Sequence, residues 1–207
     1  MTDGNVIARP GTILVVDYER RFIWFEEGRG FTSSVAEGVI RILDKLNKIS
    51  HEPIIFYIQG IGGDAYAFMK LAHVIGKLES KVVFVAFDFV KSGCFWITQC
   101  GSMCLAVAGT KFIFHRAMHY LSRNTEMTQK NYLKGYDQLK LLDAMQFWIF
   151  TLKGTPVSTI SRLFEREATI SVEKAIKLKL VADIYGEDDF RRDRERADEL
   201  ARGKYKF

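Results

Sequence analysis

The first feature suited to chemistry is a glycine-rich turn at 59–63, which reads Gln-Gly-Ile-Gly-Gly and lies between an apolar run and a helical pattern. Glycine allows positive φ, and main-chain N–H groups at the start of a helix can bind a negatively charged oxygen. Taken alone, the segment is more simply a turn that joins a strand to a helix. It is neither a P-loop nor a dinucleotide-binding fingerprint.

The second feature is Ser92, which stands where the apolar run 82–87 passes into an apolar helical pattern. A serine on a sharp strand-to-helix turn exposes its hydroxyl beside the next N–H group, as a nucleophile with an oxyanion hole requires. The simpler interpretation is a helix N-cap. A Ser–Lys pair with Lys91 is disfavoured, because adjacent side chains of an extended segment point in opposite directions.

The third feature is His115, which closes the apolar segment 111–115. At the rim of a sheet, an imidazole can remove a proton from a nearby hydroxyl, although a lone histidine there is more often structural. His119 is the alternative base. The order of the three features along one predicted sheet is what favours a common site.

Alternating strand-like and helix-like segments predict the sheet that carries these residues. The apolar, strand-length runs are 12–16, 22–25, 54–58, 82–87, 104–108 and 111–115. Helical patterns occupy 33–49, 64–78 and 92–100. Because several strands are apolar on both faces, we expect an α/β fold with a parallel sheet covered by helices.

The second half of the chain is predicted to be helical. Residues 125–153 form one long pattern, and shorter helices follow Pro156 and Ser171. The long helix has more apolar and aromatic residues than one face can bury, so we expect it to protrude and pack against a neighbouring subunit. Residues 187–207 are highly charged, with opposite charges at i,i+4, and predict a solvated helical tail after a single domain at 1–186.

Composition narrows the class of protein. The 207 residues are 48% hydrophobic, the net charge is +5, and acidic and basic residues are interleaved, which argues against a disordered chain or a nucleic-acid partner. Apolar runs are too short to span a bilayer and no signal segment is visible, so we expect a cytoplasmic protein without a membrane partner. The three cysteines, Cys94, Cys100 and Cys104, match no common zinc spacing and are expected to be buried thiols.

Together the motifs resemble the ClpP family, the proteolytic subunits of ATP-dependent Clp proteases, over roughly residues 20–186. The stretch 58–63 is similar to the family's strand-Asn-Ser-Pro-Gly-Gly element, and 90–94 to its Ala-Ala-Ser-Met-Gly helix start. Residues 114–117 resemble its Ile-His-Gln-Pro segment, and 170–181 its Leu-Ser-Ala-x-Glu-Ala element. The resemblance implies a ClpP/crotonase-like fold of repeated β-β-α units, with a long handle-type helix and C-terminal helices.

The resemblance also implies a serine endopeptidase that forms an acyl-enzyme. Ser92 would be the nucleophile and His115 the base, and the amides of Gly63 and Gly93 would form the oxyanion hole.

The third catalytic residue is implied less directly. The family has an aspartate four residues before the serine of its Leu-Ser-Ala element, and Glu167 stands there in this chain. A glutamate can orient a histidine, but its extra methylene requires a shifted backbone. Glu165 and Asp183 are the alternatives, and a plain surface carboxylate is an equally good interpretation of Glu167.

Family resemblance implies a homo-oligomeric ring, or two stacked rings, that acts on peptides or unfolded proteins. A Clp-type ATPase unfoldase is the implied partner, and no metal or organic cofactor is required. Two other functions stay open: a catalytically silent ring or scaffold subunit, and a crotonase-like acyl-CoA enzyme with a similar oxyanion hole.

Overall fold

A computed structural model describes residues 6–9, 12–117 and 129–203, and the side chains of 12–117 and 133–202. The described residues form a nine-stranded sheet with seven helices. The strands are β1 (Val6–Arg9), β2 (Thr12–Asp17), β3 (Phe22–Glu27), β4 (Ile54–Gly60), β5 (Val82–Lys91), β6 (Met103–Ala106), β7 (Lys111–Ile113), β8 (Thr169–Ile170) and β9 (Asp183–Ile184). The helices are α1 (Ser33–Ile49), α2 (Ala65–Ile75), α3 (Gly93–Thr98), α4 (Gln129–Thr151), α5 (Val157–Glu165), α6 (Val172–Lys177) and α7 (Glu187–Gly203).

The centre of the sheet is parallel, as the alternation of strands and helices predicts. The main path runs β1-β2-β3-β4-β5-β6-β9, and each neighbouring pair from β3 to β9 is parallel. The pairs β1–β2 and β2–β3 are antiparallel, so the prediction of a parallel sheet is wrong at this edge. Residues 18–21 alone join β2 to β3, and four residues cannot form the crossover that a parallel pair needs. The repeated β-β-α organisation remains a prediction.

Three strands are absent from the sequence prediction: β1, β8 and β9. β8 and β9 contain two residues each, too few to show alternation of apolar and polar side chains. β8 nevertheless matters for the site, because it pairs antiparallel with β7 through Phe112 and Ile170. This pairing brings the residues before β8 alongside the residues after β7.

Strand β5 extends four residues beyond its predicted end and has two successive neighbours on one edge. Residues 83–86 pair with β6, and residues 89–91 pair with β7. Asp88 lies between the two paired stretches with φ 50°, and the register against β4 shifts at the same place. The β5 extension therefore carries the chain from the centre of the sheet to Ser92.

The larger core lies on the face of the sheet covered by α1 to α6. Ile23 and Phe25 of β3 point into this core, and the alternate residues Phe22 and Trp24 point to the opposite face.

Beneath the end of β7, four phenylalanine rings from α3, α4, α5 and the β7 end pack with centroids 4.7–5.7 Å apart. The rings belong to Phe95, Phe114, Phe150 and Phe164. Since they join three helices to one strand, they fix the positions of these elements relative to one another.

Helix α7 packs against the opposite face of the sheet. Its Phe190 stacks on Trp24 at 5.4 Å, and Ala197 is buried beside them. The described charged C-terminal residues form this helix, but they are not solvated on the face that carries Phe190 and Ala197, in contrast to the prediction. The reason is that strands apolar on both sides need a second cover, which α7 supplies.

Polar contacts fasten α7 to the strands. Asp193 is only 5% exposed and accepts a hydrogen bond of 2.6 Å from the hydroxyl of Tyr57. Arg196 donates to Asp17, at the end of β2, over 2.9 Å. The helix is thus bonded to two separate strands.

The described part of the helix predicted over 125–153 is α4, Gln129–Thr151. Residues 118–128, which include the predicted start of the helix and the alternative base His119, lie outside the described residues. Ile149 and Phe150 are buried in the main core. Leu141 and Trp148 are 60% and 63% exposed, so the other side of α4 presents large apolar groups to solvent.

Candidate active site

Ser92 lies on a strained turn between β5 and α3. Its φ of 52° and ψ of −125° are unusual for a residue with a side chain. Ser92 is the N-cap residue of α3, yet its hydroxyl makes no capping hydrogen bond. Ordinary helix capping therefore does not account for the hydroxyl, which stays available for another role.

The glycine turn after β4 packs directly against this serine. A Cβ atom added to Gly62 would lie 2.8 Å from the Ser92 Cβ and 2.8 Å from the Gly93 nitrogen. Because real Cβ contacts are not that short, only glycine permits this approach. The turn and the serine are thus held in direct contact.

Gly63 is placed by a β-bridge to Phe31. The amide of Phe31 donates to the Gly62 carbonyl over 2.7 Å, and Asp64 donates to the Phe31 carbonyl over 2.8 Å. In this parallel bridge the N–H of Gly63 points away from Phe31. Gly63 also lines the cleft that contains Ser92.

Gly93 is the first residue of α3, where a backbone N–H has no partner within the helix. A Cβ atom at this position would lie 2.1 Å from the ring of Phe68. Gly93 therefore allows α2 to pack closely against α3 while its amide lies next to Ser92.

His115 comes two residues after β7, beside the end of β5. Lys91 pairs with Ile113 in the parallel β5–β7 register, so the two chains leave the sheet together at Ser92 and Phe114. The His115 side chain is 13% exposed. Its Nε2 atom is buried and has no hydrogen-bond partner among the described residues.

The carboxylate of Glu167 lies against the other nitrogen of that imidazole, with 3.0 Å between His115 Nδ1 and Glu167 Oε1. Phe114 donates to the Ala168 carbonyl, which continues the β7–β8 ladder to this point. The two other carboxylates considered for the third catalytic residue make different contacts. Glu165 accepts a hydrogen bond from Ser161, and Asp183 accepts one from the amide of Ile184.

The backbone at Glu167 ends α5 in a left-handed turn. The Glu167 amide donates to the Phe164 carbonyl, and the Ala168 amide donates to the Leu163 carbonyl. This pair of hydrogen bonds is the Schellman motif. Glu167 has φ 44° at the position where glycine is usual. A glutamate here costs about 1 kcal/mol or more in backbone energy, which favours a role for its side chain.

A cleft of about 340 Å³ opens beside these residues. Gly63, Ser92 and Gly93 line it, whereas His115 does not. Its other walls are mostly apolar and come from α2, α3 and α4: Ala65, Phe68, Met69, Trp96, Leu142, Met145 and Gln146.

The structure thus joins His115 to one carboxylate, and it places the histidine two residues beyond the strand that pairs with the end of β5 before Ser92, but the three side chains do not form a closed chain of hydrogen bonds. Among the residues that the structure describes, no hydrogen bond joins Ser92 to His115. Such bonds are often long in proteins without bound substrate.

Sequence reasoning missed two contributions to this region. One is α4, expected only as an assembly helix, which also lines the cleft through its inward residues 142–146. The other is Glu27, a carboxylate buried to 1% exposure at the end of β3. The helical spacing of the apolar residues in α4 was a usable signal, but a buried glutamate looks like a surface glutamate in a sequence.

Neither a metal cluster nor a membrane-spanning helix is found in the part of the chain that the structure describes. No group of three or more His, Cys, Asp or Glu residues there is arranged to hold a metal ion. No helix there combines the length and apolar character needed to cross a bilayer. Cys94, Cys100 and Cys104 are free thiols, and burial raises the pKa of Cys100 and of Cys104 to about 11.

Comparison with known protein families identifies the class. A family model described as Clp protease matches residues 17–188, which is most of the chain. The chain belongs to the Clp protease family. A comparison with curated proteins found no match. The family match agrees with the resemblance seen in the sequence and favours it over the acyl-CoA enzyme alternative.

Proposed function

We propose that this protein is a serine endopeptidase that cleaves peptide bonds through an acyl-enzyme. The observation that carries the proposal is the contact between His115 Nδ1 and Glu167 Oε1, which leaves the buried Nε2 without a partner. An imidazole held at one nitrogen by a carboxylate is in the tautomer that accepts a proton at the other.

In the proposed reaction, Ser92 Oγ attacks the carbonyl carbon of the scissile bond while His115 Nε2 takes the hydroxyl proton. His115 then protonates the leaving amine, and the acyl group stays on Ser92 as an ester. Water, deprotonated by His115, attacks the ester and releases the acid product. Glu167 keeps the imidazole oriented and stabilises its positive charge.

The amides of Gly63 and Gly93 are proposed to bind the oxygen of the tetrahedral intermediate. Both glycines line the cleft with Ser92, and neither amide is used by the Phe31 bridge or within α3. Each donor in such a hole is worth roughly 3 kcal/mol of barrier lowering.

Substrate binding must draw the serine and the histidine together, since no hydrogen bond joins them in the described structure. The same observation favours a second candidate, a catalytically silent subunit that keeps the fold without turnover.

Labelling with a fluorophosphonate separates the two functions. The wild-type protein should be labelled at Ser92 and should hydrolyse small peptides, whereas Ser92→Ala should show neither. Ser158→Ala, at an exposed serine of α5, is the matched control and should react like the wild type. Labelling of Ser92→Ala at the wild-type rate would refute the nucleophile, and an unlabelled wild-type protein would favour the silent subunit.

Membership of the Clp protease family implies a ring oligomer that acts on peptides. We propose that the exposed side of α4, with Leu141 and Trp148, contributes to contacts between subunits. We further propose a cytoplasmic location and a Clp-type ATPase as the unfoldase that delivers folded substrates.

A further inference from the structure

Glu27 is a buried carboxylate without a part in the proposed reaction. Its side chain is at the end of β3, and its Oε2 atom is buried with no partner among the described residues. Burial raises the pKa of this carboxyl group, and hydrogen bonds from the amides of Arg29 and Gly30 act in the opposite direction. A buried, half-paired carboxylate is costly, so it calls for an explanation.

One oxygen of this carboxylate holds the turn that follows β3. Glu27 Oε1 accepts hydrogen bonds from the amides of both Arg29 and Gly30. Gly30 has φ 112° and is followed by Phe31, the residue that forms the β-bridge to Gly63. The carboxylate therefore fixes the backbone immediately before the bridge.

The bridge in turn fixes the direction of the Gly63 amide. Phe31 makes hydrogen bonds to the residues on both sides of Gly63. Its amide donates to the Gly62 carbonyl over 2.7 Å, and its carbonyl accepts from the Asp64 amide over 2.8 Å. A Cβ atom at Gly63 would be only 2.3 Å from the Phe31 nitrogen, so the two backbones have no room to shift against each other.

Glu27 also contacts the beginning of the glycine turn. Its amide donates to Gln59 Oε1 over 3.3 Å, and it is opposite Gly60 in the β3–β4 register. A Cβ atom at Gly60 would lie 3.2 Å from the Glu27 Cβ and 3.0 Å from Cys94 Sγ. Residues 59–63 are thus held at both ends by contacts that begin at Glu27.

We propose that Glu27 is a positioning residue: through the turn at 27–31 it aims the Gly63 amide at the oxygen of the tetrahedral intermediate. This inference rests on the proposed peptidase function. Because the amide is used most strongly in the transition state, loss of the Glu27 contacts should lower kcat while KM changes little.

Three substitutions test the carboxylate. Glu27→Gln keeps an oxygen that can accept from the amides of Arg29 and Gly30. Glu27→Met has a similar size but no such acceptor. Glu27→Asp keeps the carboxylate but is shorter by one methylene, so it cannot reach the two amides in the same way. We expect Glu27→Met and Glu27→Asp to lower kcat by about 10- to 100-fold, less than the complete loss of an oxyanion donor. Glu27→Gln should stay within about 3-fold of wild type, because its amide oxygen can replace Oε1.

Asp17→Leu is the matched structural control. Asp17 is 5% exposed and accepts from the amides of Glu19 and Arg20 at 3.0 Å, so it holds the turn after β2 as Glu27 holds the turn after β3. This turn is at the opposite end of β3 from the glycine turn. Asp17→Leu should lower the melting temperature and leave kcat unchanged. A wild-type kcat in folded Glu27→Met or Glu27→Asp would overturn the inference.

Hydrogen–deuterium exchange gives a readout that needs no catalysis. The amides of Phe31 and Asp64, which form the two hydrogen bonds of the bridge, should exchange about tenfold faster in Glu27→Met or Glu27→Asp than in the wild type, a factor equivalent to about 1.4 kcal/mol. Unchanged exchange would overturn the role of Glu27 even in an inactive protein. An inactive wild type with the expected change in exchange would instead contradict only the proposed peptidase function.

Discussion

At the scale of single residues, the conformation of Glu167 separates a functional role from a structural one. Glycine suits its left-handed backbone better than glutamate does, so the fold alone gives no reason for a glutamate with φ 44° there. The contact with His115 Nδ1 gives one.

Glu167→Gly should therefore keep or raise the free energy of unfolding, by up to about 1 kcal/mol, because backbone strain is relieved. Peptide hydrolysis should fall by about 100-fold or more, since removal of the orienting carboxylate from such a triad is costly. Urea denaturation and steady-state kinetics measure the two effects.

Lys179→Gly provides the control for this substitution. Lys179 has φ 59°, and the amides of Lys179 and Leu180 form the same pair of hydrogen bonds at the end of α6. This variant should gain stability in the same way and keep full activity. If Glu167→Gly also keeps full activity, Glu167 has no catalytic role.

At the scale of elements, the buried carboxylate of Asp193 makes α7 part of the fold. Asp193→Ala should lower the free energy of unfolding by about 1–3 kcal/mol, since Tyr57 loses its acceptor in a buried place. Asp198→Ala, at an exposed position on the same helix, should change it by less than about 0.5 kcal/mol. Equal stability of the two variants in urea denaturation would contradict this account of α7.

The central elements could be predicted because each is long enough to display its own period. The helix expected over 33–49 is α1, and the run at 54–58 is within β4. The two-residue strands β8 and β9 are defined by their neighbours rather than by a local pattern, and no single segment reveals them. The cover that α7 provides was missed because charge dominates its sequence, although Phe190 and Ala197 are seven residues apart on one face.

For the candidate site, the sequence indicated which residues take part better than it indicated which of them are in contact. The family resemblance of its motifs implied Gly63, Ser92 and Gly93, and these three line one cleft. The sequence did not distinguish a catalytic Glu167 from an ordinary surface carboxylate. The reason is that the β7–β8 pairing that brings Glu167 to His115 is a long-range contact. The roles of these residues remain predictions.

At the scale of the whole molecule, α4 has two different sides. Its inner residues close the cleft, and its outer side exposes Leu141 and Trp148. Large apolar groups exposed in this way are typical of an interface.

Trp148→Glu should weaken the proposed ring, raising the dissociation constant between subunits by about 30-fold or more, as for the loss of an interface hot spot. Ile49→Glu introduces the same charge at another exposed apolar residue, at the end of α1, and should leave assembly intact. Sedimentation velocity over a range of concentrations distinguishes them. A wild-type protein that sediments as a monomer at all concentrations would contradict the proposed assembly.

The interrupted β5 strand has a mechanical consequence for catalysis. Three residues of β5, 87–89, are opposite the single residue Gln59 of β4, and the middle one, Asp88, has a positive φ. Beyond it, Val90 and Lys91 are bonded to Phe112 and Ile113, which lead to His115. A displacement of the cleft can be absorbed at the irregularity, so the two backbone segments that carry Ser92 and His115 would shift together relative to the centre of the sheet. The contact between hydroxyl and imidazole would then have to be made by movement of the side chains.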